Sequence, residues 1–214
     1  MTTSRAINSL KQGIQPQLAG DFEEENNGNG SLMRILPLVF YTKELTIDYR
    51  YDVVKDTSSI THGHIRSVIS CFYYLEFALH LLNGMNKEDA YRATAKDVNH
   101  ILKQKGIIDA EIKLFAPLLE DDIREHDPVK IYSSGYVLHS LIASIWCIMT
   151  TSNYKADTLK AVNLGHDTDT TGAITGGLAG LYYGLHDIPE KWRKEVARTN
   201  DIDELGLRLF NTRQ

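Results

Sequence analysis

Two aspartates two residues apart, Asp167 and Asp169, interleaved with Thr168 and Thr170, are the side chains best suited to chemistry in this sequence. Carboxylate and hydroxyl oxygens are the donors that hard divalent cations prefer. Two such residues in an irregular segment can address one ion or bridge two. Standing directly before a helix, the same residues can instead cap its N-terminus and meet the positive end of its dipole. Capping accounts well for one acid and less well for two, so spacing alone leaves both readings open. An EF-hand is excluded. Asp167, Asp169, Thr171 and Gly172 mimic its first, third, fifth and sixth positions, but the bidentate glutamate of position twelve is replaced by Leu178.

A second candidate is Asn27-Gly28-Asn29-Gly30-Ser31-Leu32-Met33-Arg34. Its glycines open backbone conformations that turn N–H groups toward a phosphate or ribose, and Arg34 can add a charge-assisted contact. A surface turn leading into a helix near Ser31 is the plainer reading. Thr61-His62-Gly63-His64 contains an H-x-H pair with the ligand type for a transition metal, or a histidine that caps a helix. Tyr132-Ser133-Ser134-Gly135-Tyr136 is either a ligand loop or a Ser-capped helix entry, and a helix N-terminus is itself an anion site.

The elements that must hold these residues read as helices almost throughout. From about His62 to Leu82, apolar residues at 65, 69, 72, 75, 79 and 82 repeat at three and four, with Ser58 to Thr61 offering N-caps. Further helices are expected at 86–104, 109–119, 136–149, 155–164, 170–183 and 189–198. Pro189 sits at the first position of the last of these. Gly172, Gly176, Gly180 and Gly184 recur every four residues in one of them. Each interior glycine costs about 0.5–1 kcal/mol against alanine, so close approach of a neighbouring helix or ligand is expected there. The charged stretch Glu120 to Pro128 reads as a surface linker inside one domain spanning 1–214.

Composition sets outer limits. A 214-residue chain with 43% hydrophobic residues supports one substantial core. Its net charge of −5 offers no general attraction to nucleic acid or anionic membranes. Cys71 and Cys147 lie in apolar, helix-like stretches, which predicts reduced buried thiols. No signal-peptide core and no apolar run of 18 residues is evident, so a cytoplasmic protein outside the membrane is expected.

Taken in order, these segments resemble the ADP-ribosylglycohydrolase family, which includes the glycohydrolase acting on dinitrogenase reductase. The matching text is Gly28 to Arg34 with Pro37, Thr61-His62, Ser134 to Val137, and Asn163 to Gly184 with Ile188-Pro189. The resemblance implies an all-α orthogonal helical bundle with a binuclear Mg2+ or Mn2+ centre. It implies hydrolysis of the glycosidic bond of ADP-ribosylated protein or a related ADP-ribose conjugate. It assigns Asp167 and Asp169 to catalysis, and Asp167, Asp169 and Thr170 to the metals. It lines the ADP-ribose cleft with Gly28, Asn29, Gly30, Ser31 and Met33, and with Ser134, Gly135, Tyr136 and Val137. His166 stands where many relatives carry glycine, and it either narrows that cleft or bonds a ligand.

The family's Thr-Asp-Asp-Thr block, which supplies the remaining metal ligands, does not occur in this sequence. Asp21 to Glu25 is an acidic turn and no substitute. The expectation is therefore an N-terminally truncated bundle with a half-shell for metal and uncovered apolar surface, met by a homo-oligomer or by altered packing. The alternatives are an inactive ADP-ribose- or nucleotide-binding module, and a helical interaction protein without a ligand.

Overall fold

The computed structural model describes residues 2–211, and they are helical as expected, with no β-strand among them. Helices α1 (Thr2–Lys11), α2 (Leu38–Thr42) and α3 (Ile47–Ser59) precede the central α4 (Ile65–Leu82). Then come α5 (Lys87–Gln104), α6 (Asp109–Lys113) and α7 (Ala116–Leu119). The last five are α8 (Val137–Met149), α9 (Tyr154–Val162), α10 (Thr168–Tyr183), α11 (Glu190–Glu195) and α12 (Thr199–Asn211).

The core forms around α4 and α8. By length and composition α4 is apolar enough to cross a membrane, although no purely apolar run of that length stands out in the sequence. Fourteen of its eighteen residues are buried within the protein, which makes it the core helix. Arg50 of α3 grips the buried Glu76 of α4 through a two-pronged contact, Nε–Oε1 and Nη2–Oε2 both at 2.6 Å. That fork satisfies both carboxylate oxygens, without which a buried charge would not be tolerated. The two cysteines are free and buried in this core.

Several element boundaries depart from the sequence expectation. Ser58 and Ser59 close α3 instead of capping α4, whose N-cap is His64: the ring Nδ1 accepts from the Arg66 N–H at 3.2 Å. The stripe of α3 is Tyr51, Val54 and Ser58, and the polar serine conceals it from a hydrophobic reading. The expected 109–119 helix breaks at Leu114-Phe115, because Pro117 needs a fresh helix start. Near Ser31 the chain makes one 3-10 turn, Leu32–Arg34, before α2. Pro189 is the N-cap of α11, one position before the expected N1. The charged 120–128 segment is anchored by Ile123, which is fully buried. α1 and α12 leave Ile7, Leu10, Ile202, Leu205 and Phe210 exposed.

Two of the four repeated glycines, Gly172 and Gly176, have the close approach their spacing suggests, while Gly180 and Gly184 do not. A Cβ at Gly172 would stand 3.0 Å from Val162 of α9, and one at Gly176 would stand 3.2 Å from the Tyr154 hydroxyl. Gly177 is tighter still on another face, 2.6 Å from Leu36. Gly184 ends the helix with φ of 82°. Close packing of α9 against α10 fixes the start of α10, where Asp167 and Asp169 lie.

Candidate active site

Three loops far apart in sequence are tied together by their backbones. The Asn29 N–H donates to the Gly135 carbonyl at 3.0 Å, and the Val137 N–H donates to the Asn27 carbonyl at 2.9 Å. The Asp167 N–H donates to the Ser133 carbonyl at 3.0 Å, and the Ser133 hydroxyl donates to the Gly165 carbonyl at 2.8 Å. The segments around residues 28, 135 and 167 therefore form one cluster. It joins the N-terminal ends of α8 and α10, whose dipoles point their positive ends at it.

The two readings of Asp167 separate here. It occupies the N-cap position of α10, yet its side chain makes no cap hydrogen bond. Its Oδ2 instead accepts from Asn29 Nδ2 at 2.6 Å, across 138 residues of sequence. The same amide nitrogen donates to Ser140 Oγ at 2.8 Å, and that hydroxyl donates to the Ser134 carbonyl at 3.0 Å. Both amide protons of the buried Asn29 are thus engaged. A Cβ on Gly135 would lie 3.6 Å from Asp167 Oδ2, an ordinary contact distance. Asp169 lies exposed in the first turn of α10 and Thr170 is buried beside it.

Beneath the glycine loop sits His62. A Cβ on Gly30 would meet its Cε1 at 2.8 Å, and the ring is almost wholly buried. Burial, aided by the nearby Arg34 guanidinium, pushes its pKa down to about 4, so the ring is neutral. Arg34 donates to the Gly30 carbonyl and to Thr61 Oγ1, which lies 2.7 Å from His62 Nδ1. His62 therefore supports the loop while His64 caps α4, and the H-x-H pair divides into two structural roles. Among the described residues, no three His, Cys, Asp or Glu side chains group to hold a metal ion.

The other candidates are placed as follows. Gly28, Gly135 and Tyr136 line a cavity of about 260 Å3, together with Glu24, Glu25 and Asn27. Ser134 is half-buried, its hydroxyl 2.8 Å from His139 Nδ1, and the His139 ring lies between Tyr132 and Tyr136. His166 is exposed at φ of 56°, a left-handed conformation that favours glycine, and Met33 is exposed. Ser31 and Val137 turn their side chains into the interior, so what they offer the cluster is backbone. Ser140 escaped the sequence reading. Its one signal is a hydroxyl one turn into a mostly apolar helix.

The profile of the ADP-ribosylglycohydrolase family matches residues 1–214. The chain belongs to the ADP-ribosylglycohydrolase family. It is 32% identical over 204 residues to the ADP-ribosylarginine hydrolase Tri1 of Pseudomonas putida (strain GB-1), covering 94% of this chain and 50% of that protein. It is 28% identical over 194 residues to the ADP-ribosyl-(dinitrogen reductase) glycohydrolase of Rhodospirillum rubrum, covering 88% of this chain and 59% of that one. A solved structure described as an ADP-ribosylglycohydrolase-related protein complex superposes with a TM-score of 0.82 at 26% identity. That match covers the whole of this chain and 69% of the solved one. The chain spans about half the length of the curated relatives it matches first.

For an ADP-ribosylglycohydrolase the donor chemistry at the start of α10 is apt. Mg2+ is commonly held by one or two carboxylates and keeps several waters. Asp167, Asp169 and Thr170 are two carboxylates and a hydroxyl, donor types that such an ion accepts.

Proposed function

We propose that this chain forms the ADP-ribose-facing part of a glycohydrolase site that releases ADP-ribose from a modified side chain, with arginine as the acceptor. The hydrogen bond from Asn29 to Asp167 carries the reading, because it draws the glycine loop onto the carboxylates at the start of α10. The arginine acceptor is supported by the activity named for the Pseudomonas relative. A Mg2+ or Mn2+ ion held by Asp167, Asp169 and Thr170 would supply the orientation of the ribose hydroxyls and of a water.

The chain's own groups have defined tasks in this scheme. The N-terminal ends of α8 and α10 favour the diphosphate through their dipoles. Gly28 and Gly135 line the cavity beside the cluster and present backbone to it. As the bond from the ribose anomeric carbon to the leaving nitrogen breaks, positive charge develops on the sugar, and the Asp169 carboxylate oxygen not turned to the ion would stabilise it. Water's oxygen forms the new bond to that carbon, one of its protons being taken up by the leaving nitrogen.

A second reading, an ADP-ribose-binding module without turnover, is favoured because no third acid groups with Asp167 and Asp169 among the described residues. Calorimetry with ADP-ribose and a release assay on ADP-ribosylated arginine, each with Mg2+ or Mn2+, decide between them. Release abolished in Asp169→Ala supports the hydrolase, and binding without release supports the module. Failure to bind ADP-ribose at all leaves neither standing.

A further inference from the structure

We infer that Asn29 is a positioning residue for Asp167, itself held by Ser140, so that a hydroxyl on α8 sets the direction of a metal-facing carboxylate on α10. The inference rests on the proposed metal role of Asp167. An asparagine amide has two protons on one nitrogen, and here they go to two acceptors, Asp167 Oδ2 at 2.6 Å and Ser140 Oγ at 2.8 Å. The hydroxyl of Ser140 can accept that bond because its own proton is spent on the Ser134 carbonyl at 3.0 Å. The reverse orientation of the amide would set its carbonyl oxygen against the carboxylate, so the network admits one orientation. The backbone of Asn29 is pinned as well, through its N–H to the Gly135 carbonyl and its carbonyl to the Met33 N–H.

The consequence is that Asp167 arrives with one oxygen already occupied and the other left to face a ligand. Partners of this kind, one step behind a metal ligand, fix its orientation, and their loss typically weakens metal affinity by about 10–100-fold. The placement also explains the residue type. Asn29→Asp would bring a second carboxylate against Asp167, whereas serine at 140 is small enough to sit fully buried between the helix and the loop.

Two readouts test this on the full chain. In metal-free protein, the Asn29 side-chain amide signal in a 1H–15N spectrum should be shifted downfield and protected from exchange. Ser140→Ala and Asp167→Asn should each remove that protection. In Mn2+ titrations followed by electron paramagnetic resonance, Asn29→Ala should weaken binding about 10–100-fold and Ser140→Ala less. The fold, checked by circular dichroism, should persist in both. Affinity unchanged in Asn29→Ala but lost in Asp167→Ala overturns the positioning role and leaves the metal reading intact. No Mn2+ binding by the wild-type chain, or binding that Asp167→Ala does not alter, overturns both. An unprotected Asn29 amide in the wild-type protein overturns the positioning role alone.

Discussion

α8 and α10 run side by side, and their two ends treat an aspartate in opposite ways. At the N-terminal ends, Asp167 is half-exposed and held by a neutral donor, Asn29, with Asp169 open to solvent. At the C-terminal ends, Asp157 of α9 is fully buried. One oxygen there is bonded by the Thr151 hydroxyl and the other has no hydrogen-bond partner among the described residues. Lys87 donates to the Ile148 and Thr151 carbonyls and to the Tyr183 hydroxyl, which locks the ends of α8 and α10 to α5. Lys160 stacks over Trp146 with its ammonium 3.5 Å from the ring centroid. Burial pushes Asp157 up to about 6, against the partial relief of Thr151 and these two lysines. A strongly perturbed acid is often a pointer to function. Here it marks the structural end of the helix pair, whereas the proposed ligand acids, Asp167 and Asp169, are the more accessible ones.

The largest expected effect lies at the open end. Asp169→Ala should lower ADP-ribose release by at least about 100-fold, and its exposed position should keep the change in stability within about 0.5 kcal/mol. Loss of fold in a thermal melt would show that the accessible acid is structural after all. Next comes the support beneath the glycine loop. Gly30→Ala forces a Cβ to 2.8 Å from the buried His62 ring, which should cost about 1–3 kcal/mol in a denaturant titration. A neutral result would mean that the loop floats free of its support.

At the closed end the sign is reversed. Because the folded pKa of Asp157 lies above its unfolded value, its carboxylate destabilises the protein above about pH 6. Stability should rise as the pH falls from about 6 toward about 4, where the unfolded chain also takes up the proton. Asp157→Asn should remove that rise and stabilise the protein at pH 8 by about 1–3 kcal/mol. Melts at pH 8 and pH 5 check it, and a destabilised variant that kept the acid-side gain would break the comparison. The smallest effect is Gly180→Ala near the same end. The nearest atom to a Cβ there is Tyr154 Cε2 at 4.0 Å, so the helix should gain about 0.5–1 kcal/mol. Its measure is the shift in denaturation midpoint, and a loss of stability would show that α9 packs closer there than 4.0 Å implies.

How much of this was legible in the sequence depended on whether the signal was local. Asn86 precedes a periodic run, and its side chain caps α5 as that pattern implies, accepting from the Asp89 N–H at 2.9 Å. The first half of the glycine repeat, Gly172 and Gly176, foretold the close approach of α9, and Gly180 and Gly184 did not take part in it. α3 was hidden because its buried stripe includes Ser58, and the start of α4 was misplaced because a histidine did the capping usually left to serine. The three site segments were each visible as chemistry-bearing text, and their order matched a family.

The sequence by itself determined the helical class, the candidate acids and the family, since these follow from periodicity, residue type and motif order. Only the tertiary structure decided that Asp167 is held by Asn29 instead of capping its helix, that Ser140 stands behind that amide, and that His62 carries the loop. The reason is physical: a hydrogen bond between residues 138 apart leaves no trace in local spacing, and it exists only once packing has brought both ends of the chain to one place.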